Sequence, residues 1–254
     1  MTKRSLLLFV FLLTIQEGFA CLCSHLTLAD KYIEADFVAR IRILKSHPNQ
    51  GEDELYKSDI EVLELFKGNF TKSLLMEGSS DGKKRSSCDL IFKENSEELV
   101  YARKNRKGVY QVYQCSDPVE KKSENLKNFE RELAALRMLK EKNIAYTHRS
   151  RYKTPTYPLL EKFKGISTDK NFAIFEITFI EREQVDSVRC IRGFGEYFDK
   201  QFIQSLKKAR WASGYDPDGV GLKGRSYPNN TTFIVLYYYE PEKEYPSIIS
   251  EYNL

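Results

Sequence analysis

Histidine, tryptophan and long apolar runs are all scarce in this chain of 254 residues, which carries three histidines and one tryptophan. His25, His47 and His148 stand singly, so neither a metal-ligand cluster nor a Ser/His/Asp arrangement can be read from them. With no constellation of acid, base, nucleophile or metal ligands, the chain reads as a non-enzyme with no cofactor. An excess of one charge is missing too. The 40 basic and 36 acidic residues are interspersed, and the net +4 carries no basic patch of the kind that marks nucleic-acid binding. No stretch reaches the roughly 20 apolar residues of a membrane span.

The one sustained apolar run, Leu6 to Ile15, lies where an export signal would. Lys3 and Arg4 precede it, and the small residues Gly18 and Ala20 follow, so residues 1–20 read as a signal peptide cleaved after Ala20. A rival reading is a bacterial lipoprotein with Cys21 acylated and lipid-anchored, although Gly18-Phe19-Ala20 lacks the usual leucine three positions upstream. All five cysteines, Cys21, Cys23, Cys88, Cys115 and Cys190, follow the signal, and their odd number leaves one thiol over. Cleavage would open the mature chain with Cys21-Leu22-Cys23. Two cysteines so close do not meet disulfide geometry with each other, so each needs a partner downstream.

Residues 26–34 allow a short helix. From Asp36 to Ile43 the chain alternates, with Phe37, Ala39, Ile41 and Ile43 on one face and Arg40 and Arg42 on the other, as a half-buried strand does. A second strand spans 56–66, and its alternation slips at Val62-Leu63, which predicts a bulge. Residues 73–77, 88–92, 98–103 and 109–115 supply further short strands, the last two joined by a turn through Asn105 to Gly108. Short strands at this spacing predict a small β-barrel or sandwich. Ser123 is placed to cap a helix in which Leu126, Phe129, Leu133, Leu136 and Leu139 form an apolar stripe that packs against the barrel.

These landmarks resemble the tissue inhibitors of metalloproteinases and their netrin-like relatives across residues 21–142. Cys-x-Cys follows an export signal, Asp36-Phe37-Val38 with Arg40 opens the first strand, and Phe66-Lys67-Gly68 closes the second. Cys88, Glu97-Glu98 before Leu99-Val100-Tyr101-Ala102, and Cys115 follow in order. The resemblance implies a five-stranded OB-type barrel and the pairings Cys21–Cys88 and Cys23–Cys115. Ile33 stands where the family's third disulfide would fall, which implies a buried, unstapled position. The resemblance also implies a zinc metalloprotease partner. Cys21 would chelate its zinc through amine and carbonyl, Leu22 would fill the specificity pocket, and Cys23, Ser86 and Ser87 would border that contact.

Residues 143–154 read as a basic, polar linker. Beyond it, Ala173, Phe175, Ile177 and Phe179 mark a strand, and residues 185–192 return as a second. Phe198, Phe202, Ile203 and Leu206 mark a helix, a glycine-rich loop covers 214–224, and a last strand spans 231–239. This order, with Tyr157-Pro158, Asp199 and Arg210-Trp211 as its specific points, resembles the carboxy-terminal domain of TonB proteins over residues 155–240. The resemblance implies an extended-peptide or envelope-protein partner and a Gram-negative periplasmic or extracellular setting. Trp211 is expected in the core, Cys190 as a buried free thiol, and Tyr237-Tyr238-Tyr239 as an aromatic face for a partner. The chain is thus expected to be a mainly β, α+β protein of two modules, 21–142 and 155–254.

Overall fold

The computed structural model describes residues 23, 25–49, 54–83, 86–144, 152–181, 183–213 and 230–253. The protein is of mixed α+β class, built around a closed five-stranded barrel. Its strands are β1 (Phe37–Ser46), β2 (Leu55–Lys67), β3 (Ser73–Glu77), β4 (Glu97–Lys104) and β5 (Tyr110–Val112). They run in the order β1-β2-β3-β5-β4, and antiparallel pairing of β4 with β1 closes the ring. That arrangement is consistent with an OB-type barrel. A short β6 (Val119–Glu120) pairs antiparallel with β4. The alternation in β1 is the reason the barrel fills: Phe37, Ala39, Ile41 and Ile43 are fully buried with Tyr56, Met76, Val100 and Val112 around them. The bulge falls where the slipped pattern places it, since Arg40 pairs with Glu64 while the next residue, Ile41, pairs with Val62 and skips Leu63.

Two expected strand segments take other forms. Residues 88–92 make no strand, because Tyr56 occupies the place of a neighbour: its hydroxyl donates to the Leu90 carbonyl and accepts from the Phe92 amide. Cys115 does not end a strand but sits in a 3-10 turn, Gln114–Ser116, after β5 has stopped. Ser123 likewise makes no cap hydrogen bond and belongs to a 3-10 turn ahead of the helix.

A second sheet, all antiparallel, has the order β12-β11-β8-β9 from β8 (Phe172–Glu181), β9 (Gln184–Arg192), β11 (Asn230–Tyr239) and β12 (Ile248–Ser250). A two-stranded ribbon joins β7 (Tyr152–Lys153) to β10 (Ala212–Ser213). Four α-helices complete the described residues: α1 (Leu28–Glu34), α2 (Leu126–Glu141), α3 (Tyr157–Leu160) and α4 (Glu196–Lys208).

The central strands β8 and β11 of the second sheet are buried on both faces, which explains their nearly unbroken apolar runs, whereas no residue of β9 is fully buried. On one face Ala173, Phe175, Ile177, Phe179, Ile234 and Leu236 meet Phe198, Phe202 and Leu206 of α4. On the other, Phe172, Ile174, Phe233, Val235 and Tyr237 join Tyr32 and Ile33 of α1, Leu133 and Leu136 of α2, and Val38, Leu99 and Tyr101 of the barrel in one cluster. The α2 stripe therefore packs against the second sheet as well as the barrel. Its first member, Leu126, is exposed, whereas Phe129, Leu133, Leu136 and Leu139 are buried. Residues 145–151 of the expected linker lie outside the described residues, and the residues flanking them, Ile144 and Tyr152, are buried. Ile33 is buried, as expected of an unstapled position. Tyr237 and Tyr238 are buried on opposite faces of β11, so the three tyrosines do not form one exposed aromatic surface.

Candidate functional site

Two regions collect the residues singled out by the sequence. The first is the amino-terminal edge of the barrel. Cys23 is bonded to Cys115 across a sequence separation of 92, with their Cα atoms 5.1 Å apart. This bond points to an oxidising, exported environment. The turn that carries Cys115 is fixed on both sides: the Gln114 amide donates to Glu77 Oε2 at 2.8 Å, and Ser116 Oγ donates to the Tyr113 carbonyl at 2.7 Å.

Cys88 is disulfide-bonded as well. Its expected partner Cys21, together with Leu22, lies outside the described residues. Cys88 is held by a tight local turn in which its amide donates to Ser86 Oγ and the Ser86 amide donates to Asp89 Oδ2, each at 3.1 Å. Cys23, Cys115 and Ser87 are exposed and Ser86 is partly so, which leaves this edge open to a partner.

Beside the staple lies a cleft of about 710 Å³ lined by His25, Lys31, Asp117, Asn128, Glu132 and Tyr252. Its floor is a buried ion pair, with Lys31 Nζ 2.8 Å from Glu132 Oε1. The same carboxylate oxygen accepts from the Tyr101 hydroxyl at 2.6 Å, and burial holds that phenol well above its ordinary pKa. Such a pair contributes little net stability after desolvation, but removing one partner would strand the other charge. Beside it, fully buried Arg131 donates to the Tyr238 carbonyl, to the Tyr239 hydroxyl and to Asn253 Oδ1, and its guanidinium lies 4.5 Å from the Tyr239 ring centroid. The carboxy-terminal tail is thus tied to the helix that follows the barrel. Sequence gave no warning of this, because Arg131-Glu132 reads as an ordinary charged interval between Phe129 and Leu133.

The second region is a cleft of about 240 Å³ between α1 and the carboxy-terminal half, lined by Asp30, Lys153, Thr156, Tyr157, Trp211 and Glu251 among others. Trp211 is 2% exposed, donates its indole N–H to the Leu206 carbonyl at 3.0 Å and stands edge-on to Phe179. It is a core anchor. Tyr157 is 71% exposed at the cleft mouth, and Pro158 follows it in the first turn of α3. Exposed Arg210 contributes its carbonyl, which accepts from Thr154 Oγ1 at 3.0 Å. Asp199 is not part of this group. It sits near the other end of α4, where its carboxylate accepts from the Phe194 and Gly195 amides at 2.9 and 3.3 Å and pins the turn into the helix. Gly193 is required there, since a methyl at that position would overlap the Asp199 carboxylate.

Within this cleft Asp30 forms a capping box with Thr27 and an ion pair with Lys153 at 3.2 Å. Glu251 accepts from the Thr156 hydroxyl, and burial pushes its carboxyl up to about 7.

His47 Nε2 lies 2.6 Å from Asp59 Oδ2, and that contact holds the Asp59 carboxyl below its ordinary value. Among the described residues no hydroxyl or thiol hydrogen-bonds to this imidazole, and no group of three His, Cys, Asp or Glu side chains could hold a metal ion. Cys190 is free, only half-buried, and pushed up to about 11 by its apolar surroundings, so it is a poor nucleophile. No protein-family model matches this chain, and neither does any curated protein sequence.

Proposed function

We propose that this chain is an exported, non-enzymatic binding protein whose amino terminus inhibits a zinc metalloprotease in the manner of the tissue inhibitors. In this reading the amine and carbonyl of Cys21 displace the water from the open position of the partner's zinc. Leu22 enters the apolar pocket alongside, and Ser86-Ser87 form the second contact strip. The observation that carries the reading is the staple: Cys23 is bonded to Cys115 on a closed barrel, and Cys88 is itself disulfide-bonded on the neighbouring turn. A chain start held this way has little conformational entropy left to lose on insertion, which is the advantage of a pre-organised inhibitor.

The test is inhibition of a panel of zinc metalloproteases by the chain beginning at Cys21, beside the same chain extended by one alanine. Inhibition that the extension abolishes supports the reading. Failure to inhibit any member, or equal potency after extension, defeats it.

A second reading is favoured by Tyr157 and Trp211 lining one cleft, with the Arg210 carbonyl bonded to Thr154 of its wall. Here the carboxy-terminal half is a TonB-like interaction module of a Gram-negative envelope that grips an extended peptide or a neighbouring protein, with the barrel as its scaffold. An isolated 155–254 fragment would expose Phe233, Val235 and Tyr237, so the full chain is the reagent. Capture of an envelope protein that Tyr157→Asp abolishes supports this reading; identical capture by both chains counts against it.

A further inference from the structure

Charges that are interspersed in sequence are not evenly spread in space. At one end of the barrel the 68–72 loop after β2 and the 105–109 turn before β5 are drawn together, because the Asn69 amide donates to the Tyr110 hydroxyl at 3.2 Å. Both loops are held by specific local contacts. Gly68 takes φ +87°, and a side chain there would run into the Asp36 carbonyl. The other turn is closed by Asn105, whose amide donates to the Val109 carbonyl and whose side-chain oxygen accepts from the Lys107 and Val109 amides.

What these loops present is unusual for a solvated surface. Phe70 is 75% exposed, more than any other large side chain of purely apolar character among the described residues, and Val109 beside Tyr110 is 42% exposed. Around them Lys72, Lys104, Arg106 and Lys107 are all exposed, and none makes an ion pair among the described residues. The acids of this end are already engaged: Asp36 accepts from the Lys104 amide at 2.7 Å, and Glu34 pairs with Arg103. Lys104 Nζ lies 5.5 Å over the Tyr110 ring, which holds its charge at the same end.

We propose that this end of the barrel docks on an anionic lipid bilayer. Phe70 and Val109 enter the boundary between headgroups and acyl chains, and the four cations meet the headgroup phosphates. An apolar tip ringed by unpaired cations complements that boundary on both counts. A nucleic acid or acidic polysaccharide would use the cations but leave Val109 without a role, since stacking platforms need successive aromatic faces. The observation is independent of the disulfide edge and of the Tyr157 cleft, so the inference does not rest on either functional reading.

The test is co-sedimentation of the processed full chain with vesicles of phosphatidylcholine alone and of phosphatidylcholine with one-third phosphatidylglycerol. Binding is expected to the anionic vesicles only, weakening as salt is raised. Loss of about fivefold is expected per cation removed, so Arg106→Gln with Lys107→Gln lowers partitioning roughly 25-fold. Phe70→Ser lowers it about tenfold or more. Lys200→Gln with Lys207→Gln, the same charge change on exposed positions of α4, leaves it within about twofold. All these side chains are exposed, and unchanged thermal melts confirm that folding is intact. No binding to anionic vesicles overturns the proposal. So does an equal loss from the α4 pair, which would reduce the effect to net charge, and so does full binding by Phe70→Ser, which would make this a site for soluble polyanions.

Discussion

The barrel and the second sheet solve the same problem, covering a β-sheet's apolar faces, in opposite ways. The barrel closes on itself, so β1, β2, β3, β5 and β4 leave no edge in the ring, and its interior is filled by its own strands. A disulfide then fixes the incoming chain to it. The second sheet remains open, has no disulfide among its described residues, and borrows one of its two covers from α1 and α2. The barrel owns its core, whereas the sheet shares half of its own. Dependence between the modules should accordingly run through the shared cluster.

The largest expected effect tests the staple. Cys23→Ser with Cys115→Ser removes a cross-link spanning 92 residues and should cost about 4 kcal/mol by the chain-entropy model. That corresponds to a melting temperature lower by roughly 8–16 °C. Cys190→Ser, which touches no disulfide, should leave the melt almost unchanged; equal losses from the two variants would show that the bond stabilises nothing. Slightly smaller is the effect of hollowing the shared cluster. Phe233→Ala should cost about 3–4 kcal/mol, and hydrogen exchange should show faster opening in both the barrel strands and the sheet. Phe202→Ala, of similar size but on α4 and packed against the sheet's other face, should loosen the sheet and leave the barrel amides protected. If both variants spare the barrel, the cluster does not couple the modules.

Within the barrel, two adjacent glutamates of β4 should respond to pH in opposite directions. Glu98 points into the interior, 1% exposed, and burial pushes its carboxyl up to about 8. The unfolded chain ionises near 4.5, so stability is lost progressively as pH rises from there to about 8, by a few kcal/mol at most. Glu98→Gln should flatten this slope, and urea midpoints across that range would show it. Glu97 faces outward, where hydrogen bonding to Arg40 holds it down at about 2. Its contribution is present above the unfolded value and is lost as pH falls toward about 2. The smallest effect belongs to the exposed Arg137–Glu64 pair at 2.8 Å, where Arg137→Ala should change stability by less than about 1 kcal/mol.

Much of the barrel was legible because its strands follow simple rules. Phe37 to Ile43 alternate, the slip at Val62-Leu63 became the bulge, and residues 73–77 are β3 as read. What misled were positions where a side chain replaced a backbone partner. Tyr56 took the hydrogen bonds that would have made 88–92 a strand, and the 3-10 turn at Cys115 depends on Glu77 from a different strand. The short pieces β7, β10 and β12 carried no period long enough to read. Of the candidate sites, Cys115 carries the bond to Cys23 and Cys88 is disulfide-bonded in its own turn, while Tyr157 and Trp211 line one cleft. Asp199 proved to hold a turn, and Arg131, Glu132 and Lys31 escaped notice because burial of a charge depends on neighbours far away in the chain.

The sequence by itself determined the strand pattern of the barrel, the amphipathic helices and the supply of cysteines, since periodicity and composition are local quantities. Only the tertiary structure decided that α2 serves two cores, that the carboxy-terminal tail reaches Arg131, and that Phe70 stands among unpaired cations at one barrel end. Each of these is a juxtaposition of residues distant in sequence. The reason is physical: burial, desolvation and charge pairing depend on what lies within a few ångströms, and chain order records that only for neighbours.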